Sequence, residues 1–258
     1  MKNILISNLD STIDAIQAVG KIVTGAKFII DESGLSCYVK ISMARIQIRC
    51  KCVTCDESIQ FCINDFGKFL NYLKLISKSE NTDNGVVLVF NKTHIKYKGS
   101  LVEFKYMLCR EEIVSQFNDS LITTETIPEY QVETSYDAIR SILSNKNLIS
   151  EDLQSITYKL ESDPIKTKMM FAHLEDIQNP SSNTIKLYLG NITMGEVSQP
   201  IYLNTERIQL ATILKCENIT LTKSMNKNHM IIDLEDIGED DEIISTIKIY
   251  TSLVKGYA

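Results

Sequence analysis

The chain has 258 residues and a mass of 29.2 kDa, is 44% apolar and 23% charged, and contains only four Pro and ten Gly. Those values exclude a disordered or fibrous chain and allow one large domain or two of about 100–150 residues. A net charge of −6 does not mark a nucleic-acid binder as a whole, yet leaves room for a local basic face.

Hydrophobic periodicity predicts the elements in order. Asn3–Ser7 reads as a strand. Asp10–Val23 reads as a helix, with Leu9, Ile13, Ile16, Val19 and Val23 spaced by three and four and Asp10 or Ser11 as cap. Lys27–Asp31 and Leu35–Ile41 are strands joined by a hairpin at Glu32-Ser33-Gly34. Arg45–Cys52 and Ser58–Ile63 are read as strands joined by a turn at Thr54–Glu57. Asp65–Ser77 is a helix, followed by strands at Val86–Phe90, Ile95–Tyr97 and Leu101–Leu108. The pattern lapses from Phe117 to Pro128, which reads as an extended connector. Then come a strand (Tyr130–Thr134), a helix (Ser135–Ser144) and strands at Ser155–Glu161, Lys166–His173, Thr184–Leu189 and Ile201–Asn204. A helix at Thr205–Lys215 and strands at Ile219–Lys223, His229–Leu234 and Ile243–Ser252 finish the chain.

Each half therefore reads strand, helix, four strands, helix, three strands. The repeat lies in element order rather than in residue identity. Two helices and many antiparallel strands per half suggest an α+β fold, each half laying both helices on one face of a curved sheet.

Chemistry-bearing motifs are sparse. The cluster Cys50, Cys52, Cys55 and Cys62 leaves two readings open, a zinc site needing four converging thiolates or buried free thiols. The odd count of seven Cys argues against a disulfide framework. His94, His173 and His229 stand outside any metal or nucleophile motif, and there is no Gly-rich phosphate loop. Nothing calls for a cofactor or supplies an active site, so an enzyme is the weakest reading. The acidic run from Asp233 to Glu242 lacks calcium-loop spacing. Ile occurs 36 times and Lys 22 times against five Arg, a bias of an AT-rich genome rather than an adaptation. No apolar run approaches the ~18 residues of a membrane span, and Asp10 comes too early for a signal peptide. The expectation is a soluble, intracellular protein with no membrane association.

The element order at this length resembles the DNA sliding clamps of the proliferating cell nuclear antigen type, including those of phages. Four segments carry the resemblance. Phe28-Ile29-Ile30-Asp31-Glu32-Ser33-Gly34-Leu35 resembles the family's hairpin. Ile127-Pro128-Glu129 with Tyr130 resembles the end of its connector. Ile63-Asn64-Asp65-Phe66-Gly67-Lys68-Phe69-Leu70 resembles the start of its second helix. Ile249-Tyr250-Thr251-Ser252-Leu253 resembles its C-terminal strand. The sequence departs from the family in the loop after Ser42, which lacks an acidic residue, and in having no acidic C-terminal tail.

The resemblance implies two similar clamp-type domains, 1–116 and 129–258, joined by a connector over 117–128, and a six-domain ring as homotrimer. It implies helices lining a hole through which double-stranded DNA passes without sequence preference. Counted with their flanking residues, over 10–23, 65–78, 135–146 and 205–216, the four predicted helices carry a net +3, the rest of the chain −9. Lys21, Lys68, Asn71, Lys74, Lys78, Arg140, Lys146, Arg207 and Lys215 are the implied DNA contacts. On the second helix, Lys68, Asn71, Lys74 and Lys78 fall within one sector of about 120°. Met43, Ile46, Leu121, Ile122, Ile127, Pro128, Tyr250 and Leu253 are the implied pocket for a partner peptide. The implied partners are a DNA polymerase and a clamp loader, and the implied subunit edges are Leu101–Leu108 and Ile185–Leu189. Two alternatives stay open: a non-ring, clamp-like viral processivity factor or transcription coactivator, and an all-β structural scaffold without DNA binding.

Overall fold

The computed structural model describes residues 1–42, 44–114, 127–149, 156–162, 165, 168–176, 178–179, 183–216, 218–225, 229–238 and 242–253. Its strands are β1 (Lys2–Ile6), β2 (Ala26–Asp31), β3 (Gly34–Lys40), β4 (Ala44–Cys50), β5 (Val53–Thr54), β6 (Ile59–Ile63), β7 (Val86–Asn91), β8 (His94–Lys98) and β9 (Glu103–Met107). They continue with β10 (Pro128–Thr134), β11 (Ile156–Ser162), β12 (Met169–Asp176), β13 (Ile185–Gly195), β14 (Ile201–Asn204), β15 (Asn218–Ser224), β16 (His229–Ile237) and β17 (Ile243–Ser252). The α-helices among the described residues are α1 (Leu9–Ile22), α2 (Phe66–Ser79), α3 (Tyr136–Ser144) and α4 (Thr205–Gln209). Antiparallel sheets and four helices are the architecture the periodicity predicts.

The chain divides into two compact units, Met1–Thr123 with Asp236–Ile247, and Thr124–Glu235 with Lys248–Ala258. In the first, β5-β1-β7-β8-β9 form a five-stranded antiparallel sheet, and β6-β2-β3-β4 form a second antiparallel run. Alternation along β3 and β4 buries Cys37, Val39, Ile46 and Ile48 and turns Ser36, Tyr38, Gln47 and Arg49 outward. Phe28, Ile30, Leu73 and Ile76 complete this core at under 2% exposure, each contributing about 1.5–3 kcal/mol. In the second unit, β14-β11-β12-β13-β10-β15-β16 follow one another, with Tyr130, Tyr158 and Ile139 fully buried.

Gly34 closes the β2–β3 hairpin at φ +129°, and a Cβ there would meet the Cys50 carbonyl at 2.6 Å. Only glycine suits that turn, which explains the Gly-Leu step of the hairpin.

Four expectations are corrected. Asn8 caps α1, accepting from the Ser11 N–H at 3.0 Å, so the helix begins at Leu9 rather than Asp10. The Cys50–Cys62 hairpin does not form, because Val53–Thr54 leave to pair with β1 and β6 pairs with β2. Cys62 faces Cys109 across an isolated bridge, and no group of His, Cys, Asp or Glu able to hold a metal exists among the described residues. The helix expected to reach Lys215 ends at Gln209 and tightens into a 3-10 turn over Leu210–Thr212. Finally, β13 runs past Leu189 to Gly195.

Candidate nucleic-acid and subunit interface

The second helix, α2, builds the best-formed cationic face. Asp65 stops the preceding strand and caps the helix, its Oδ1 accepting the Lys68 N–H at 2.9 Å. Phe66, Phe69, Leu70, Leu73 and Ile76 enter the core. Lys68, Asn71, Lys74 and Lys78 are all exposed on the opposite side, the arrangement expected from their angular sector.

Helix α1 packs beside α2 and ties down part of this face. Lys74 Nζ donates to Gln17 Oε1 at 3.1 Å, and Ser77 Oγ donates to Asp10 Oδ1 at 3.1 Å. Burial and the nearby Asp236 raise the Asp14 pKa, while Lys21 and Lys74 oppose that shift. Lys21 and Lys74 therefore share one electrostatic neighbourhood, and Lys21 is exposed in the last turn of α1.

In the second unit, Ser135 caps α3 by accepting from the Ala138 N–H at 3.2 Å, and Ile139 and Ile142 are buried. Arg140 is exposed, Lys146 half-buried and Lys215 exposed. Arg207 is different. Its Nη2 donates to Ser252 Oγ at 3.2 Å, and its Nε is buried without a hydrogen-bond partner among the described residues. The bond to Ser252 ties the guanidinium to the end of β17.

The residues assigned to a partner pocket have separate environments. Ile46 is fully buried in the first unit's core, an inward position unsuited to an exposed anchor. Ile127 is 53% exposed, Pro128 and Tyr250 are half-buried, and Leu253 is buried. The His229 and Tyr250 rings lie 6.5 Å apart. Met43, Leu121 and Ile122 lie outside the described residues.

Among the described residues, each unit also presents an open strand edge. In the first, β9 pairs with β8 and with no other strand among those residues. The Leu108 N–H bonds to Thr93 O and the Gly99 N–H to Val102 O. Ladder alternation then turns the backbone groups of Glu103, Lys105 and Met107 away from β8. In the second unit, Ile185–Tyr188 pair with β12 on one side, while β10 joins the β13 ladder from Gly190 onward. Both edges coincide with stretches implied by the family resemblance.

Sequence reasoning missed Glu80. This residue follows α2, and its carboxylate accepts from Ser100 Oγ at 2.6 Å and from the Leu101 and Val102 N–H groups at 2.7 and 2.8 Å. The helix end is thereby tied to the turn that feeds β9. A lone Glu twenty residues from its partners gives no spacing signal. These hydrogen bonds, Ser100 foremost, hold its pKa near 2, below the usual 4.5. A depressed carboxylate stabilises above its unfolded pKa and loses that contribution as pH falls from 4.5 towards about 2. Glu80→Gln is expected to reproduce the acid state at neutral pH. Protection of the Leu101 and Val102 amides, taken relative to their intrinsic exchange rates, should be lost in the variant across that window, whereas the parent protein loses it only on acidification.

With this geometry in hand, comparison with solved structures is decisive for the fold. An Archaeoglobus fulgidus PCNA, solved with the C-terminal region of FEN-1 bound, superposes at a TM-score of 0.71 with 12% identity, each chain covered over 100% of its length. PCNA from Thermococcus kodakaraensis superposes at 0.69 with 10% identity, covering 98% of this chain and 100% of that one. This is the sliding-clamp fold. No protein-family model matches the chain, and neither does the sequence of any curated protein. The clamp fold is thus shared at only 10–12% sequence identity. Among the described residues, no helix of this clamp-fold chain is long and apolar enough to cross a membrane.

Proposed function

We propose that the protein is a DNA polymerase sliding clamp, a non-enzymatic processivity factor acting as a homotrimeric ring around double-stranded DNA. The observation that carries this reading is the clamp fold over the whole chain, with the exposed lysine face of α2 as its electrostatic complement. Domains over 1–116 and 129–258, joined by the 117–128 connector, would form six repeats around the hole. Lys21, Lys68, Asn71, Lys74, Lys78, Arg140, Lys146 and Lys215 would attract phosphates without reading sequence. Enclosure supplies persistence, so each phosphate interaction stays weak enough for sliding. Head-to-tail pairing of the β9 edge with Ile185–Leu189 of the next subunit closes three equivalent interfaces and leaves neither edge open.

Polymerase and other replication proteins would dock on the outer surface near Ile127, Pro128, Tyr250 and Leu253. Opening the ring would fall to an ATP-driven clamp loader, since this sequence holds no phosphate-cradling loop.

The test joins solution mass to topology. Light scattering is expected to give three times 29.2 kDa. Loaded protein should remain on nicked circular DNA through high salt and run off when the circle is linearised. A monomer at every concentration, with salt-sensitive binding to circular and linear DNA alike, would replace the ring with the non-ring processivity factor. Absence of DNA binding in any form would leave the structural scaffold.

A further inference from the structure

The outer face of the five-stranded sheet carries an unbalanced charge pattern that the clamp reading does not use. Lys96 on β8 stands directly opposite Lys105 on β9. By the ladder alternation above, this is a non-hydrogen-bonded pair, the closer of the two cross-strand spacings. Like charges in that position destabilise a sheet. No carboxylate lies within 4 Å of either ammonium among the described residues, whereas Lys2 and Lys27 in the same unit have one. Lys98 and His94 flank Lys96 on the same face of β8, and Glu103 is the one acid opposite them. Burial and then Lys105 and Lys96 hold the His94 pKa low.

Beside this cationic strip lies an apolar one. Leu5 on β1 is 45% exposed, and its register partner Val87 on β7 is 47% exposed. Val89, on the same face of β7, stands opposite Lys96 and joins the two strips. Lysine is abundant in this sequence, but abundance does not explain two lysines in register beside exposed aliphatics in a chain of net charge −6.

We infer that this sheet face is a docking surface for an acidic peptide segment of a partner protein, its carboxylates on Lys96 and Lys105 and its aliphatic side chains on Leu5 and Val87. Charge complementarity fixes the acidic character. The adjoining aliphatic pair favours a peptide over a phosphate backbone, which gains nothing by covering apolar surface. Docking relieves the repulsion between Lys96 and Lys105 and covers Leu5 and Val87 in one event.

Fluorescence anisotropy with a labelled peptide, Asp-Glu-Leu-Glu-Leu-Asp-Glu, tests this directly. Saturable binding is expected, weakening as salt rises from about 50 to about 500 mM. Lys96→Gln with Lys105→Gln should lower affinity about tenfold or more, the effect expected of removing two charge-assisted hydrogen bonds. Leu5→Gln, or a peptide with Ser in place of Leu, should lower it severalfold. Lys68→Gln with Lys74→Gln on α2 should leave the affinity for this peptide unchanged while weakening binding to duplex DNA. The double lysine variant should melt at or slightly above the parent temperature, separating weakened binding from impaired folding. Failure to saturate, or indifference to the Lys96 and Lys105 substitutions, overturns the inference. So does a labelled DNA duplex that displaces the peptide and itself depends on those two lysines, for the face would then be a phosphate surface.

Discussion

Replacing Lys105 by proline is expected to turn a species of three times 29.2 kDa into monomers of 29.2 kDa while leaving each monomer folded. The reasoning begins with the ladder. The Leu108 N–H to Thr93 O and Gly99 N–H to Val102 O bonds set the alternation, so the Lys105 N–H points away from β8. A proline there removes no bond inside the sheet, and an edge strand tolerates it. It does remove a donor from the face that the proposed ring pairs with the next subunit, and its ring blocks close approach of another strand. Each backbone bond contributes about 0.5–1.5 kcal/mol, and a closed trimer loses three equivalent sets at once. Light scattering across a concentration series reads the outcome, and circular dichroism confirms the fold. Lys105→Gln is the control, since it removes the charge and keeps the N–H. A trimeric Lys105→Pro variant would place ring closure on some other edge.

What was legible in the sequence follows from how locally each feature is determined. The helices α1 and α2 were readable because their three-four apolar spacing is complete within fourteen residues, although the cap of α1 is Asn8 rather than Asp10 or Ser11. The cationic sector of α2 came with them, since helix geometry fixes which side chains share a face. The long helix expected at Thr205–Lys215 failed because its apolar spacing outlasts its helix propensity. Thr205, Ile208, Thr212 and Ile213 are β-branched, and the chain tightens after Gln209. In β13, Gly190 looks like a stop but is a point of close approach, for a Cβ there would collide with the Glu133 carbonyl on the neighbouring β10. The four clustered cysteines suggested convergence because they are close in sequence. Pairing sent β5 to one sheet and β6 to another, which no local pattern could announce. Arg207 and Glu80 show the same limit in side chains. Their partners, Ser252 and the turn at Ser100–Val102, are set by tertiary packing alone.

Neutralising the α2 face is expected to produce the largest functional change. Lys68→Gln, Lys74→Gln and Lys78→Gln remove three exposed positive charges from each subunit without entering the core. Every phosphate left without its lysine lowers the slope of log affinity against log salt by about 0.9, so the loss of three contacts should lower the slope for duplex DNA by about 2.7 and the affinity on the order of 100-fold at low salt. The Lys74 substitution also removes its bond to Gln17 and one of the cations beside Asp14, whose raised pKa should rise further. Arg207→Gln should behave in the opposite way, changing stability through Ser252 and leaving the salt slope unmoved. Rings already loaded on circular DNA are the discriminating case. If enclosure holds the DNA, the triple variant should persist there nearly as long as the parent protein while its direct affinity collapses. If phosphate attraction holds it, retention and affinity should fall together, and the topological mechanism would give way to surface binding.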